Sequence, residues 1–213
     1  MSRPRLSPAS RPPAGSDASA VLESWLPQVW AHANLTWEGD SPTLRLSLSG
    51  PGGGEWQLRV ADGELRVEPM FRTLGSRLPD PDIWVRMSAA DFLAVPFPSE
   101  DLIEFLPAHA DLADLLFASS DDLELLDKLD GRVKFELEGR RRRRWAVDAA
   151  FGPLGMRAGR PRTTVSIDSG TCEKLAAHTL TPLQALLAGR LRVDGDRTLA
   201  LQVLMLVASR MGG

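Results

Sequence analysis

Leu44-Arg45-Leu46-Ser47-Leu48-Ser49-Gly50 and Val133-Lys134-Phe135-Glu136-Leu137-Glu138-Gly139 are two strands of one pattern, set 89 positions apart (133 less 44). Each alternates apolar with polar residues and ends on glycine, the period of a strand with one buried face. At the same shift Trp56 falls on Trp145, Ala61 on Ala150, Gly63 on Gly152, Leu65 on Leu154 and Val67 on Met156. After a deletion of seven residues from the second copy, Ile83, Val85 and Met87 meet Val165, Ile167 and Ser169, and Leu93 meets Leu175. Chance alternation accounts poorly for a tryptophan and two glycines that also coincide, so the chain reads as a tandem duplication.

Outward from these strands, Ala20 to Ala33 places Val21, Leu22, Trp25, Leu26, Val29 and Trp30 at helical spacing, with Ser16 or Asp17 as cap. Gly50 to Gly54 turns the first strand back through Trp56, Leu58 and Val60, and Asp62-Gly63 leads into a third strand, Leu65 to Val67. Ile83, Val85 and Met87 form another strand. Helical patterns follow at Ala89 to Val95, Ser99 to Leu106, and an acidic stretch from Asp111 to Leu129. The second copy runs from Leu180 to Asp196 as a helix, a strand and a tight turn, and closes with an apolar helix from Arg197 to about Ser209. Nothing in the first copy matches that ending, so it reads as degenerate. The expected organisation is a disordered tail over 1–19, a degenerate domain over 20–110 and a complete domain over 111–213.

Length and composition suit this division. The 213 residues are long for one compact domain, and 43% hydrophobic residues can build a core. No apolar run is long enough for a membrane span or a secretory signal, so a cytoplasmic protein is expected. A single cysteine, Cys172, excludes an internal disulfide framework and any multi-cysteine metal site.

The formal charge is -3, yet five arginines are consecutive, Arg140, Arg141, Arg142, Arg143 and Arg144, so the rest of the chain carries -8 (-3 less 5). A body this acidic argues against general nucleic-acid binding. The run sits between two strands. It reads either as a solvated turn or as a tip attracted to anionic lipid headgroups, since it lacks interleaved aromatics for base stacking.

The inventory for catalysis is thin. His32, His109 and His178 stand apart, with none of the spacings that put two metal ligands on one helical face, so no metal or cofactor is expected. The glycines at 50 and 52 to 54 lead into a strand rather than a helix N-terminus, which a phosphate cradle requires. Cys172 is near the start of a helix but has no assignable base, and a structural thiol is expected. The acidic residues Asp101, Glu104, Asp111, Asp114, Asp121 and Asp122 read as a solvated face. The apolar residues of the last helix cover nearly its whole circumference, so it is either covered on both sides or closes an apolar cavity.

Strand, hairpin, Trp145, the Gly152 turn, strand Thr163 to Asp168, a helix near Cys172 to Ala177, then Pro182, Ala185, Gly189, Leu191, Val193, Gly195-Asp196 and an apolar helix follow in that order. This series, from about Leu112 to Val207, resembles the sterol carrier protein type-2 domain family, whose usual ending is a Pro-x-x-Ala helix, a Gly-Lys/Arg-Leu strand and a Gly-Asp turn into a last helix. The resemblance implies an α+β fold: a mixed five-stranded sheet, here tandem duplicated, with helices on one face. It also implies an apolar tunnel for a fatty acyl chain, sterol or isoprenoid, and no catalysis. The tunnel positions it implies are Trp145, Val147, Met156, Val165, Ile167, Leu175, Leu186, Leu191, Leu201, Leu204 and Met205; on such a domain the charge of Arg140 to Arg144, read separately, would face an anionic membrane. The alternatives are a protein-interaction or scaffold module with filled cavities, and an accessory factor to a lipid or quinone pathway.

Overall fold

The computed structural model describes residues 12–32, 42–70, 81–94, 124–125, 128–139, 144–157, 159–177 and 179–211. Asp17, one of the two candidate caps, takes the role: its Oδ1 accepts from Ala20 N at 2.8 Å. The chain then runs through a π-helical turn, Ala20–Trp25, into α1 (Leu26–His32). Strands β1 (Leu44–Ser49), β2 (Gly54–Ala61), β3 (Glu64–Pro69) and β4 (Ile83–Ser88) precede α2 (Ala89–Ala94). The second half contributes β5 (Gly131–Glu138), β6 (Arg144–Phe151), α3 (Gly152–Gly155), β7 (Thr163–Asp168), α4 (Ser169–Ala176), α5 (Pro182–Leu187), β8 (Leu191–Gly195) and α6 (Arg197–Met211). Of the acidic stretch from Asp111 to Leu129, positions 124–125 and 128–129 are helical, and the rest lies outside the described residues. The expected helix from Ser99 to Leu106 lies outside them too.

All these strands form one mixed eight-stranded sheet in the order β3-β2-β1-β4-β6-β5-β7-β8. A mixed sheet with helices is therefore the architecture, but the strands divide four and four instead of five per unit. In each half the first strand pairs antiparallel with its hairpin partner and parallel with a later strand, β1 with β2 and β4, β5 with β6 and β7. The first half carries β3 outside β2, and the second carries β8 outside β7. The second half has no strand matching β3: the corresponding stretch forms the short α3, so the expected match of Leu65 and Val67 to Leu154 and Met156 does not extend to a shared strand. The open side of β6 is taken instead by β4, antiparallel, with Val85 opposite Ala149. That junction joins the sheets of the two halves and leaves neither β4 nor β6 as a free edge.

The pairing also shifts two matches made by the self-overlay. Leu46 lies between Trp56 and Val85, whereas Phe135 lies between Val147 and Val165. Trp56 therefore corresponds to Val147, not Trp145, and Val85 corresponds to Val165, not Ile167. The first shift has a plain cause: Leu48 and Gly54 pair across the first hairpin, six positions apart, and Leu137 and Trp145 across the second, eight apart. A slip of two residues keeps every side chain on its face, which is why alternation alone did not expose it.

One face of the sheet is predominantly apolar, with Thr163 buried beside Val133 as a polar exception. In register across it run Leu58, Leu44, Ile83 and Phe151, then Leu46, Val85, Ala149 and Val133, then Met87, Val147, Phe135, Val165 and Val193. Val21, Leu22, Leu26 and Trp30 of the first helix, with Ala89 and Phe92 of α2, bury against the β1–β3 portion. The helices α4, α5 and α6 bury Leu175, Ala185, Leu199, Ala200, Val203 and Leu204 against the β5–β8 portion. The opposite face is polar, with Arg45, Ser47, Arg86, Asp148, Lys134 and Thr164 at the alternate positions.

Candidate functional site

The site implied by the resemblance lies on the apolar face beneath α6. A run of tightly specified turns places that helix. Thr181 opens α5 with a capping box: its Oγ1 accepts from Gln184 N (3.2 Å), and the Gln184 side chain accepts from Thr181 N (2.9 Å). Pro182 occupies the first turn, where a missing N–H costs nothing, and Ala185 is fully buried. Gly189, at φ 66°, ends the helix, with Arg190 N donating to Ala185 O at 2.9 Å, a six-to-one bond of the Schellman type. Leu191, 2% exposed, then enters β8 opposite Ile167.

The Gly195-Asp196 turn is equally constrained. Gly195 has φ 100°, and a β-carbon there would run into the carbonyl oxygen of Arg162 and lie 3.1 Å from Thr163 Cα. Asp196 caps α6 by accepting from Leu199 N at 3.0 Å and pairs with Arg162 at 2.7 Å. The bond from Leu199, aided by the Arg162 charge, holds the Asp196 carboxyl below the usual carboxylate range. The Pro-x-x-Ala, Gly-Arg-Leu and Gly-Asp residues are thus builders of the α5–β8–α6 frame.

Within that frame Val165, Leu175, Leu191 and Leu204 are buried in one cluster, with Ile167 and Leu186 packed against it. The cluster also contains Val133, Phe151, Ala185, Leu199, Ala200 and Val203, none of which the resemblance implied as a tunnel position. Their signals were present: Val133 and Phe151 fall on the alternating face, and 199, 200, 203 and 204 share one stripe of a helix. Trp145 sits beside this cluster with Leu137, Ala94, Ile167 and Cys172, and its Nε1 donates to Asp91 O of α2 at 3.0 Å, which ties the two halves together. Val147 is half-buried between Met87 and Phe135.

Besides Trp145 and Val147, the structure leaves three of the candidates outside the cluster. Met156 caps α3, bonded through its N–H to Gly152 O. Leu201 and Met205 lie on the other side of α6, and Met205 is 62% exposed. Over its described side chains the last helix is therefore buried along one stripe, so of the two arrangements its apolar circumference allowed, cover on both sides is not the one found. Leu183 and Leu187 of α5 are exposed as well. Arg144 is exposed at the start of β6, paired in register with Glu138, while Arg140 to Arg143 lie outside the described residues.

The groups weighed for catalysis are placed as follows. Burial pushes the Cys172 thiol up to about 11, assisted by the charges of Glu173 and Asp168, so it is no activated thiolate. Asp168 is partly desolvated, which raises its pKa, but bonds from Thr171 Oγ1 (2.7 Å) and Thr171 N (2.9 Å) outweigh this and leave it lowered. It is the cap of α4. His32 is the last residue of α1, and His109 and His178 lie outside the described residues, as does most of the acidic cluster. Among the described residues no group of three potential metal ligands converges, and no described helix is long and apolar enough to cross a membrane.

Comparison with known proteins matches residues 112–208 to the SCP-2 sterol transfer family. Hydroxysteroid dehydrogenase-like protein 2 of Xenopus tropicalis is 31% identical over 84 residues, 38% of this chain and 20% of that protein, so the chain spans about a fifth of this relative's length. Among solved structures, sterol carrier protein 2 from Yarrowia lipolytica in its apo form aligns with 42% of this chain and 76% of its own, at 15% identity and a TM-score of 0.33. The sterol carrier protein domain 2 of Helicoverpa armigera aligns with 44% and 79%, at 19% identity and a TM-score of 0.33. Residues 112–208, the stretch that carries β5 to β8, α4, α5 and most of α6, are thus the part of the chain that matches the SCP-2 sterol transfer family.

Proposed function

We propose that the C-terminal half binds, without catalysing a reaction, a long apolar ligand such as a fatty acyl chain, sterol or isoprenoid between the sheet and α6. One observation carries this reading: in a segment matching a sterol transfer family, an apolar sheet face is covered by a helix whose N-terminal end is held by the Gly195-Asp196 turn and the Asp196 cap. Val165, Ile167, Leu175, Leu186, Leu191 and Leu204 are the contact residues. Trp145 and Val147 extend that surface toward the first half, and Met156, Leu201 and Met205 join it only when α6 moves. Burial of some twelve methylenes would contribute about 10 kcal/mol before ordering costs, at about 0.8 per CH₂, so no polar chemistry is needed. The first half, 20–110, is a degenerate copy of the same unit in this reading, and Arg140 to Arg144 steer the cytoplasmic protein to anionic membranes. Titration of the delipidated full chain with a fluorescent acyl chain tests it: saturable binding displaced by unlabelled fatty acid is expected, and purely partition-like uptake overturns it.

A second reading, an interaction module with a filled cavity, is favoured by the closeness of the cluster under α6, where Val133, Val165 and Ala200 are wholly shut from solvent. Exposed Leu183, Leu187 and Met205 supply apolar contact for a partner in that case.

A further inference from the structure

The polar face of the sheet holds a cleft of about 840 Å³ where the two halves meet, lined by β1, β2 and β4 of the first and β5 and β6 of the second. That volume suits a small organic ligand. Its cations are Arg86, Arg132 and Lys134, and two of them are already neutralised. Arg132 Nε donates to both carboxylate oxygens of Asp148, at 2.7 and 2.9 Å, and Lys134 pairs with Glu136 at 2.5 Å.

Arg86 is different. It faces Asp148 in register across the β4–β6 junction, yet that carboxylate is held by Arg132. Arg86 Nε and Nη2 are buried and have no hydrogen-bond partner, and these two N–H groups form the edge of the guanidinium that grips an oxyanion in a fork. The group stacks on Trp84, with Cζ 3.7 Å from the ring centroid, and Trp84 is fixed in turn because its Nε1 donates to Ser47 Oγ at 2.8 Å. Burial and then the neighbouring Arg132 charge lower the Arg86 pKa, and the nearby charges of Asp148 and Glu55, which raise it, offset this only in part. Burial of unpaired charged donors is costly, and it signals a missing partner.

We propose that this cleft binds a small organic anion whose phosphate or carboxylate group pairs with the free edge of Arg86. Binding brings that edge round to the cleft the same side chain lines, while the Trp84 stack keeps the guanidinium in plane. The site is on the opposite face from the apolar ligand and stands whether or not that ligand binds. Because it is built from both halves, it also gives the first half a part that a vestigial copy would lack.

Calorimetry of the full chain at fixed ionic strength with glycerol 3-phosphate, inorganic phosphate and acetate tests the proposal, with tryptophan emission as an optical readout of the Trp84 stack. Saturable binding of at least one probe is expected, weakened about tenfold or more in Arg86→Gln, the scale of a lost charge-assisted fork. Arg86→Lys, which keeps the charge and loses the fork, should fall between, and Arg192→Gln, exposed on β8, should match the parent. Flotation with phosphatidylcholine vesicles, with and without phosphatidic acid, separates the sources. Binding that needs phosphatidic acid and is displaced by glycerol 3-phosphate assigns a lipid headgroup, and binding of the soluble probe alone assigns a free organic anion. Absence of saturable binding for every probe, or unchanged affinity in both Arg86 variants, overturns it.

Discussion

Substitution of Gly195 by alanine tests whether the Gly-Asp turn is a structural requirement of the last helix. Two costs arise at this position. A non-glycine residue at φ 100° is strained by about 1 kcal/mol or more. The new β-carbon also meets the Arg162 carbonyl and Thr163 Cα, so the β7–β8 pairing at Thr163–Gly195 has to yield, which adds about 2 kcal/mol. Gly189 isolates the first cost: its φ is 66°, but nothing lies within 4 Å of a β-carbon there. Gly195→Ala is therefore expected to lower stability by about 3 kcal/mol and Gly189→Ala by about 1, or roughly 6–12 °C against 2–4 °C for a chain of this size. Thermal unfolding followed by circular dichroism measures both. Equal losses in the two variants would refute the reasoning, because the collision with Arg162 is what separates them.

Two further outcomes follow from the titratable groups. With its thiol pushed up to about 11 from an ordinary 9.0, Cys172 should react with a disulfide reagent at pH 8 about a hundredfold more slowly in the folded chain than in urea; equal rates would show an open, ionised thiol. Asp168 has a folded pKa below its unfolded value of about 3.9, so its stabilisation is present above that value and is lost as pH falls through the folded one. Asp168→Asn should accordingly melt lower than the parent at pH 7, with the difference narrowing toward pH 3, and a gap constant with pH would contradict this.

Much of the fold is legible in the sequence because alternation and turn chemistry act locally. Leu44 to Ser49 and Thr163 to Asp168 are strands with the limits their patterns indicate, and Gly189 and Gly195 mark turns that need a positive φ. What alternation cannot convey is register, since a two-residue slip preserves the buried face; hence the coincidence of Trp56 with Trp145 misleads. Nor does it indicate that Leu154 and Met156 leave the strand pattern, a matter decided by Gly155 packing against the Gly131 carbonyl and by Leu154 N bonding Asp130 Oδ1. The join of β4 to β6 is a long-range choice of edge, invisible to either segment alone.

The candidate sites divide in the same way. The apolar positions Val165, Leu191 and Leu204 are found from pattern and resemblance because both describe burial, whereas Met205 shows that an all-apolar helix can still turn one side outward. Trp84 and Arg86 passed unnoticed as the polar side of a strand. Their significance lies in what Arg86 lacks across the junction, which only the pairing of the two halves reveals.

Native mass spectrometry of the purified full chain, before and after addition of a fatty acid or sterol, tests the central claim most directly. The account predicts a one-to-one complex that survives into the gas phase and is lost on delipidation, and a chain that carries no lipid and takes up none at saturating ligand would contradict it.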